Sequence, residues 1–331
     1  MTHTPHATKY YDDLVRSFPS MSGKVVMITG CTSGMGLVLA QTCAGLGARV
    51  VMLNRPSLRA DAALKGVLDA GGDAVLVPCD LSSFASVRAA GATLRRDFGD
   101  QGCDVLCNNA GIMGVADKAT EDGFDVQMQA NHLSHFLLTH EVWPLLETAG
   151  AQRGEARVVN HSSGARGKPG RPLHAKYLAR NGGNLGGDGW PGLAKWTRYQ
   201  QSKLANLMFT YALDSHAGQR ADNRVKALCA HPGPADSGLQ GKTTQAGGDR
   251  WLDRFILGQA LKYAQSVEDG TSGIARCCCE ADVESGAFYG PNGPHRTGPA
   301  VLLPPERNPV NEALIWEESL KATGITNFFK P

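Results

Sequence analysis

The sequence predicts an α/β fold, a single doubly wound domain with a mostly parallel sheet of about seven strands flanked by helices. Short apolar runs alternate with longer segments of helical periodicity from residue 24 to about residue 290. The runs are continuous rather than alternating, as in strands that are buried on both faces. Glycine is abundant, with 40 residues against roughly 23 expected from average usage, and many glycines lie at turns from strand to helix. Strand–helix–strand alternation requires crossover connections and a parallel sheet.

The elements follow one another in a regular order. The predicted strands are Lys24–Thr29, Arg49–Asn54, Ala74–Cys79, Asp104–Cys107, Arg157–His161, Arg224–Ala230 and Gly286–Tyr289. The predicted helices are Gly34–Leu46, Leu58–Leu68, Ser83–Phe98, about Asp122–Leu146 and about Thr197–Ala217. Open α/β sheets bind ligands at the carboxyl edge of their strands, so the segments that follow the strands are the candidate site.

Composition and charge exclude several classes of protein. A net charge of +2 gives no concentrated basic face, so we expect no nucleic-acid partner. The nine cysteines are odd in number, and Cys277–Cys279 lack the spacing of a zinc site, which predicts packed thiols and no metal. The segment Met1–Ser22 is polar, and no apolar run approaches about 18 residues. We therefore expect a cytoplasmic protein without a membrane span.

The first predicted strand runs into a glycine-rich turn that opens a helix. The turn contains Gly30, Thr32, Ser33, Gly34, Met35 and Gly36. A diphosphate binds backbone N–H groups at a helix N-terminus, and glycines allow the chain to turn sharply and approach closely. The spacing is G-x-x-x-G-x-G rather than G-x-G-x-x-G, and a purely structural turn is the alternative. Its place after the first strand favours a dinucleotide-binding turn of the Rossmann type.

The second strand ends at Asn54-Arg55, where a carboxylate for the ribose 2′-hydroxyl of NAD would stand. Arg55 supplies a positively charged guanidinium there instead, and the paired N–H donors of a guanidinium suit the oxygens of a 2′-phosphate. The sequence thus favours NADP(H) over NAD(H), the alternative being an ordinary solvated arginine.

Tyr199 and Lys203 stand four residues apart in a predicted helix, which places both side chains on one face. A tyrosine has a pKa near 10, and a neighbouring ammonium favours the phenolate and lowers that pKa. The pair therefore predicts proton transfer by Tyr199, although a Tyr-x-x-x-Lys pair alone is common on amphipathic helices.

Further motifs occur in a characteristic order along the chain. They are Asp80-Leu81, Asn108-Asn109-Ala110-Gly111, Asn131-His132-Leu133-Ser134-His135-Phe136, Asn160-His161-Ser162-Ser163, Ser202-Lys203-Leu204-Ala205-Asn206 and His231-Pro232-Gly233. With the glycine turn and Tyr199, this set resembles the short-chain dehydrogenase/reductase family over roughly Gly23 to Pro291. The strings that begin at Asn131 and Ser202 are most similar to the retinol-dehydrogenase and protochlorophyllide-reductase-like branch.

The resemblance implies a catalytic role for each matching residue. Ser163, with Ser162 as the second choice, would hydrogen-bond the substrate oxygen, and Tyr199 would be the general acid/base. Lys203 would tune Tyr199 and bind the nicotinamide ribose, while Asn131 would hold a water that links Lys203 to solvent. The implied cofactor contacts are Asp80 and Leu81 at the adenine, Asn109, Ala110 and Gly111 at the ribose, and Pro232 and Gly233 at the nicotinamide.

The resemblance also divides the chain. Residues 23–291 would form the catalytic domain, between an N-terminal extension, 1–22, and a C-terminal extension, 292–331. An insertion at 165–195 separates Ser163 from Tyr199 by 36 positions, where about a dozen is usual in the family. A region at 234–263, including Trp251 and Phe255, would cover the substrate, although long connections can also be surface decoration.

The expected function is hydride transfer between NADP(H) and a carbonyl or alcohol carbon of a medium or large apolar molecule, such as a retinoid-like aldehyde. Two alternatives remain open. The protein could reduce a carbon–carbon double bond, or it could be a catalytically silent nucleotide sensor on the same fold. Sensors of this kind commonly lose the tyrosine or lysine, and both are present here. No oligomeric state is predicted.

Overall fold

Eight strands form one sheet in the order β3-β2-β1-β4-β5-β6-β7-β8. The computed structural model describes residues 6–189, 192–236, 258 and 262–331. The strands are β1 Val25–Thr29, β2 Arg49–Asn54, β3 Asp73–Pro78, β4 Val105–Asn108, β5 Ala156–His161, β6 Val225–Ala230, β7 Phe288–Pro291 and β8 Ala300–Leu303. Strands β1 to β7 are parallel and β8 is antiparallel to β7. This confirms the predicted doubly wound, mostly parallel sheet.

Helices cover both faces of the sheet. They are α1 Tyr11–Arg16, α2 Gly34–Gly45, α3 Leu58–Asp69, α4 Phe84–Phe98, α5 Val126–Met128, α6 Ser134–Glu141, α7 Trp143–Arg153, α8 Leu193–Gly218, α9 Val267–Cys279 and α10 Pro309–Thr323. One core cluster lies between the sheet and helices α1, α2, α3 and α9. The other lies between the sheet and α4, α6, α7, α8 and α10.

The chain crosses the sheet in two directions from its centre. It runs outward from β1 to β2 and β3, and then returns to β4 on the other side of β1. Every residue of β1 and β4 is buried. The crevice at the carboxyl ends of β1 and β4 is therefore the topological switch point, where open α/β sheets bind their ligands.

Several elements differ from the sequence prediction: helices α1, α9 and α10 were not predicted, and α8 begins at Leu193 rather than at about Thr197. The helix expected over Asp122–Leu146 is divided into α5, a π-helical turn at Gln129–Leu133, α6 and α7. Pro144 lies in the first turn of α7, where its missing N–H is tolerated, whereas in the middle of a long helix it would clash. The eighth strand, β8, was not predicted, because its short apolar run lies in the segment assigned to the C-terminal extension.

The N-terminal segment is held to the core by a buried carboxylate. Asp269 accepts hydrogen bonds from the backbone N–H groups of Lys9 at 2.9 Å, Tyr10 at 2.8 Å and Tyr11 at 3.0 Å. The Tyr11 hydroxyl lies 2.8 Å from the hydroxyl of Thr42 on α2. These contacts satisfy the N–H of Tyr11, the first residue of α1, and those of the two residues before it, where no side chain caps the helix.

The C-terminal segment ends in an aromatic cluster against α6, α7 and α8. The ring centroid of Phe328 lies 4.8 Å from those of Phe136 and Trp316, and 5.9 Å from that of Trp143. His132 reaches α10 through a 2.8 Å hydrogen bond between its Nε2 and the hydroxyl of Ser319. The cluster thereby holds α6 and α8, the helices that carry Ser134 and Tyr199.

The structure bears differently on the predicted substrate-covering region and on the expected absence of a membrane span. Most of the predicted substrate-covering region lies outside the described residues, including Trp251 and Phe255. Over the ranges given above, each helix is too short or too polar to cross a bilayer.

The aromatic cluster gives a stability prediction. Replacing Phe328 with Ala should lower the free energy of unfolding by about 3–5 kcal/mol, the usual result of removing a buried aromatic ring. Urea denaturation followed by tryptophan fluorescence measures this change. Phe329→Ala is the matched control, and its effect should be smaller because Phe329 is only half-buried. Equal losses in the two variants would contradict the assignment of Phe328 as the centre of the cluster.

Candidate active site

The turn between β1 and α2 is shaped by its glycines and by two asparagines. Gly30 has a φ of +76°, a conformation that favours glycine. A Cβ at Gly36 would overlap the carbonyl oxygen of Gly30 and the Asn109 amide. The side chain of Asn54 accepts a 2.7 Å hydrogen bond from the N–H of Cys31. The end of β2 therefore fixes the path of the turn.

The hydroxyl of Thr29 joins β1 to the segment after β4. It accepts hydrogen bonds from the N–H groups of Asn109 and Ala110, both at 3.0 Å, and lies 2.9 Å from Nε2 of His135. The other ring nitrogen of His135 faces the carbonyl oxygen of Asn131 at 3.0 Å. Because a carbonyl can only accept, Nδ1 carries the proton and Nε2 accepts from Thr29. Burial lowers the pKa of His135 to about 4, so this bridge is neutral.

The N-terminus of α2 fits a dinucleotide diphosphate. Its first turn contains no acidic residue and no side-chain cap, so backbone N–H groups and the positive end of the helix dipole face the sheet edge. Thr32, Ser33, Gly34 and Met35 are partly exposed there, while Gly36 is buried. This arrangement agrees with the predicted dinucleotide-binding turn.

The residues predicted at the adenosine end lie at the ends of β2 and β3. Arg55 is exposed, and its guanidinium has no ion pair within the described part of the chain. Asp80 accepts hydrogen bonds from the N–H and hydroxyl of Ser82 at 2.9 and 2.7 Å. The carbonyl oxygen of Leu81 accepts a 2.7 Å bond from Ser134 on α6. A cleft of about 470 Å³ opens beside Asp80 and is lined further by Ile112, Val115, Ala116 and Val126.

Asn131 and Lys203 converge on Gly111. A Cβ at Gly111 would lie 3.2 Å from both Asn131 Oδ1 and Lys203 Nζ. The Asn131 amide is held on three sides, because it bonds the N–H and carbonyl of Ile112 at 2.8 and 2.9 Å and the hydroxyl of Ser202 at 2.9 Å. The π-helical turn places this side chain at the sheet edge.

The two serines after β5 have different partners. Ser162 is buried, and its hydroxyl donates a 2.7 Å hydrogen bond to the carbonyl of Lys203. Ser163 is half-buried, and its hydroxyl faces the phenol of Tyr199 and lowers the pKa of that tyrosine. The geometry thus brings Ser163, rather than Ser162, together with Tyr199.

The electrostatics of the helix pair differ from the sequence expectation. Burial raises the pKa of Tyr199, and this effect outweighs the opposing contact with Ser163. Burial also lowers the pKa of Lys203 to about 8, and its ammonium donates a 2.9 Å hydrogen bond to the carbonyl oxygen of His161. The predicted lowering of the tyrosine pKa by Lys203 is therefore not found, because desolvation of the phenol dominates.

Two arginines that sequence reasoning missed hold the backbone after Ser163. Arg166 is buried and paired with Glu306, and it donates a 3.1 Å hydrogen bond to the carbonyl of Ser163. Arg296 donates a 2.7 Å bond to the carbonyl of Gly164. No local motif could identify Arg296, because it lies 132 positions from Gly164 and is joined to it only by the fold.

The segment after β6 completes the edge. Gly233 has a φ of +65°, and a Cβ there would overlap the carbonyl oxygen of Arg296. The carbonyl of Pro232 accepts a 2.9 Å hydrogen bond from Gln265. Met35 Sδ and Pro232 Cβ lie 3.5 and 3.7 Å from the position of a Cβ at Gly270. Met35 of the glycine turn and Pro232 thus approach the same point on α9, while the contact of Pro232 with the nicotinamide that the resemblance implied stays a prediction.

The chain is similar in sequence to known proteins. Residues 24–183 match the model of the short chain dehydrogenase family. The chain is 35% identical to mouse retinol dehydrogenase 14 over 290 residues, which cover 82% of this chain and 78% of that protein. It is 33% identical to a short chain dehydrogenase/reductase of Colletotrichum higginsianum over 65% of this chain, and this match spans only 55% of that relative's length.

A solved structure agrees with the sequence comparisons. The crystal structure of an uncharacterized protein from Mycobacterium paratuberculosis is similar with a TM-score of 0.70 and 29% identity, over 94% of this chain and 97% of that one. Together with the match over most of retinol dehydrogenase 14, this likeness shows that the chain belongs to the short-chain dehydrogenase/reductase family, in its retinol-dehydrogenase-like branch.

Proposed function

We propose that the protein is an NADP(H)-dependent oxidoreductase that acts on a carbonyl or alcohol carbon of a medium or large apolar substrate. The observation that carries the proposal is the convergence of Ser163 with Tyr199, and of Asn131 with Lys203, at the switch point of the sheet. Likeness to a protein named retinol dehydrogenase supports an apolar substrate. The nicotinamide, when bound, supplies or accepts the hydride.

In reduction, negative charge grows on the substrate oxygen. The hydroxyls of Ser163 and Tyr199 donate hydrogen bonds to that oxygen, and donors fixed in advance stabilise such charge strongly. Tyr199 then transfers its proton to the oxygen. Its raised pKa keeps the phenol protonated at neutral pH, as a proton donor requires.

Lys203 and Asn131 serve the proton path and the cofactor ribose. A buried lysine with a pKa of about 8 exchanges its proton close to neutral pH. Asn131 holds the Gly111–Ile112 backbone beside that ammonium. The proposed path returns a proton to Tyr199 through Lys203 and a water held at Asn131.

The cofactor contacts are assigned from the positions of the edge residues. The glycine turn binds the diphosphate, and Arg55 binds the 2′-phosphate of NADP(H). The remaining contacts are Asp80 and Leu81 with the adenine, Asn109, Ala110 and Gly111 with the ribose, and Pro232 and Gly233 with the nicotinamide.

The division of the chain follows from the same proposal. Residues 23–291 form the catalytic domain, with an insertion at 165–195 and a substrate-covering region at 234–263. Residues 1–22 and 292–331 are extensions that support it.

Removal of the Tyr199 hydroxyl tests the proton donor. Tyr199→Phe should lower turnover at least about 100-fold while NADPH still binds, because the phenol acts on the substrate oxygen. A panel of aldehydes, ketones and secondary alcohols, followed by nicotinamide absorbance, measures turnover. Tyr11→Phe is the matched control, because its hydroxyl bonds Thr42 away from the edge. Near-normal turnover in Tyr199→Phe would refute the role, and NADPH binding without any turnover in the native protein would support a nucleotide sensor.

The two serines give a second test. Ser163→Ala should lower kcat by about 10²–10³, the usual effect of removing one donor to a developing oxyanion. Ser162→Ala should instead reduce the free energy of unfolding by about 1 kcal/mol, because its hydroxyl bonds the backbone of α8. Parallel kinetic and urea measurements separate the two effects, and the reverse pattern would assign the catalytic role to Ser162.

Cofactor choice depends on Arg55. NADPH should bind at least about tenfold tighter than NADH, since the Arg55 guanidinium would form charge-assisted hydrogen bonds with the 2′-phosphate. Arg55→Ala should remove this preference by weakening NADPH alone, as measured by fluorescence titration. Lys65→Ala on α3 controls for the loss of one positive charge. Equal affinities for the two nucleotides in the native protein would refute the choice of NADP(H).

A further inference from the structure

The loop after β7 has an unusual backbone. His295 and Arg296 have φ values of +55° and +59°, and within the described ranges they are the non-glycine residues with positive φ. Such a conformation costs about 1–3 kcal/mol per residue and persists only where the surroundings impose it. Strain of this kind concentrates at ligand-binding sites, so the contacts that maintain it are informative.

Three contacts hold the loop against the sheet edge. The carbonyl oxygen of Arg296 packs on Gly233, where a Cβ would overlap it, and Nη1 of Arg296 donates to Gly164. The ring of His295 stacks on Tyr263 with centroids 3.7 Å apart and an interplanar angle of 13°. The loop therefore spans the segments after β5 and β6, directly beside Ser163.

Within the described part of the chain, no carboxylate neutralises the charge of Arg296. Its neighbour Arg166 is buried and paired with Glu306, whereas Arg296 is exposed and forms no ion pair with any described residue. Arg171 is also exposed and without an ion pair among those residues, and its Cδ lies 2.7 Å from the position of a Cβ at Gly167. Two unpaired guanidinium groups thus flank the 3-10 turn Gly164–Arg166, for which Ser163 is the N-cap.

The sequence around Arg171 adds to this charge. Besides Arg166, which Glu306 neutralises, the insertion at 165–195 contains five lysines and arginines and a single carboxylate, Asp188, in a chain whose net charge is only +2. A positive rim beside a reacting centre raises the local concentration of anionic ligands.

We infer that Arg296, assisted by Arg171, binds a carboxylate of the substrate, so that the protein acts on apolar aldehydes, ketones or alcohols that also carry an acidic group. This inference rests on the proposed function and narrows its substrate class. Nη1 of Arg296 donates to Gly164, and no described residue accepts a hydrogen bond from the edge formed by Nε and Nη2. That edge matches the two oxygens of a carboxylate.

The test compares ω-oxo carboxylic acids of increasing length with their methyl esters in NADPH-dependent reduction. The native protein should show a KM about tenfold lower for the acid of the best length, equivalent to about 1.4 kcal/mol. Arg296→Gln should abolish this preference by raising the KM for the acid, while kcat for the ester reports whether Ser163 has moved. Arg296→Lys should retain part of the preference, which a purely structural role would not predict. Lys176→Gln removes one charge from the same insertion and should leave the preference intact.

Several outcomes would overturn the inference. Equal KM values for acid and ester in the native protein would do so and leave the oxidoreductase proposal standing. A rise in the KM for NADPH in Arg296→Gln would assign the arginine to the nucleotide instead. If neither the ω-oxo acid nor its methyl ester is turned over, the proposed function fails. Calorimetry with a long-chain dicarboxylate and its dimethyl ester then tests the anion site separately. Binding of the diacid that weakens in Arg296→Gln supports the anion site, whereas equal or absent binding of the two refutes it.

Discussion

The docking of α8 on the end of β5 is the contact on which the site depends. The carbonyl oxygen of His161 accepts hydrogen bonds from Lys203 at 2.9 Å and Asn206 at 3.0 Å, and Ser162 returns one to the backbone of Lys203. A buried ammonium without such partners would be very costly. These bonds fix the rotation and height of α8, and they thereby bring Tyr199 to Ser163.

A second buried interaction joins α8 to the other side of the crevice. Arg198, the residue before Tyr199, forms a fully buried 2.6 Å ion pair with Asp125 and also donates to the carbonyl oxygens of Val115 and Gly186. Asp125 in turn caps α5, which leads into the turn that carries Asn131. Removal of either charge would leave the other uncompensated in the interior. The ion pair and its hydrogen bonds therefore connect the insertion, through Gly186, to α8 and to α5.

Paired and unpaired arginines have different places in this molecule. Arg166 and Arg198 are buried with carboxylates and organise the backbone around Ser163 and Tyr199. Arg55 and Arg296 are exposed at opposite parts of the same edge and form no ion pair with the described residues. A guanidinium without a carboxylate partner at the edge of a cleft attracts anions, and the two are proposed to meet the cofactor phosphate and the substrate carboxylate. The terminal segments, by contrast, are held by hydrogen bonds to Asp269 and by the packing of Phe328.

Local features of the sequence determined much of this protein. Strand–helix alternation, the glycine turn and the four-residue spacing of Tyr199 and Lys203 depend only on backbone periodicity, so they predicted the sheet and one half of the site. The division of the long helix at the Asn131 turn, the contact between Ser163 and Tyr199 and the raised pKa of Tyr199 required the tertiary structure. Each depends on burial or on a partner distant in the chain, and the strained contact of Arg296 with Gly164 is the extreme case. Spacing specifies which residues share a helix face, but only packing specifies what that face meets and how much water it loses.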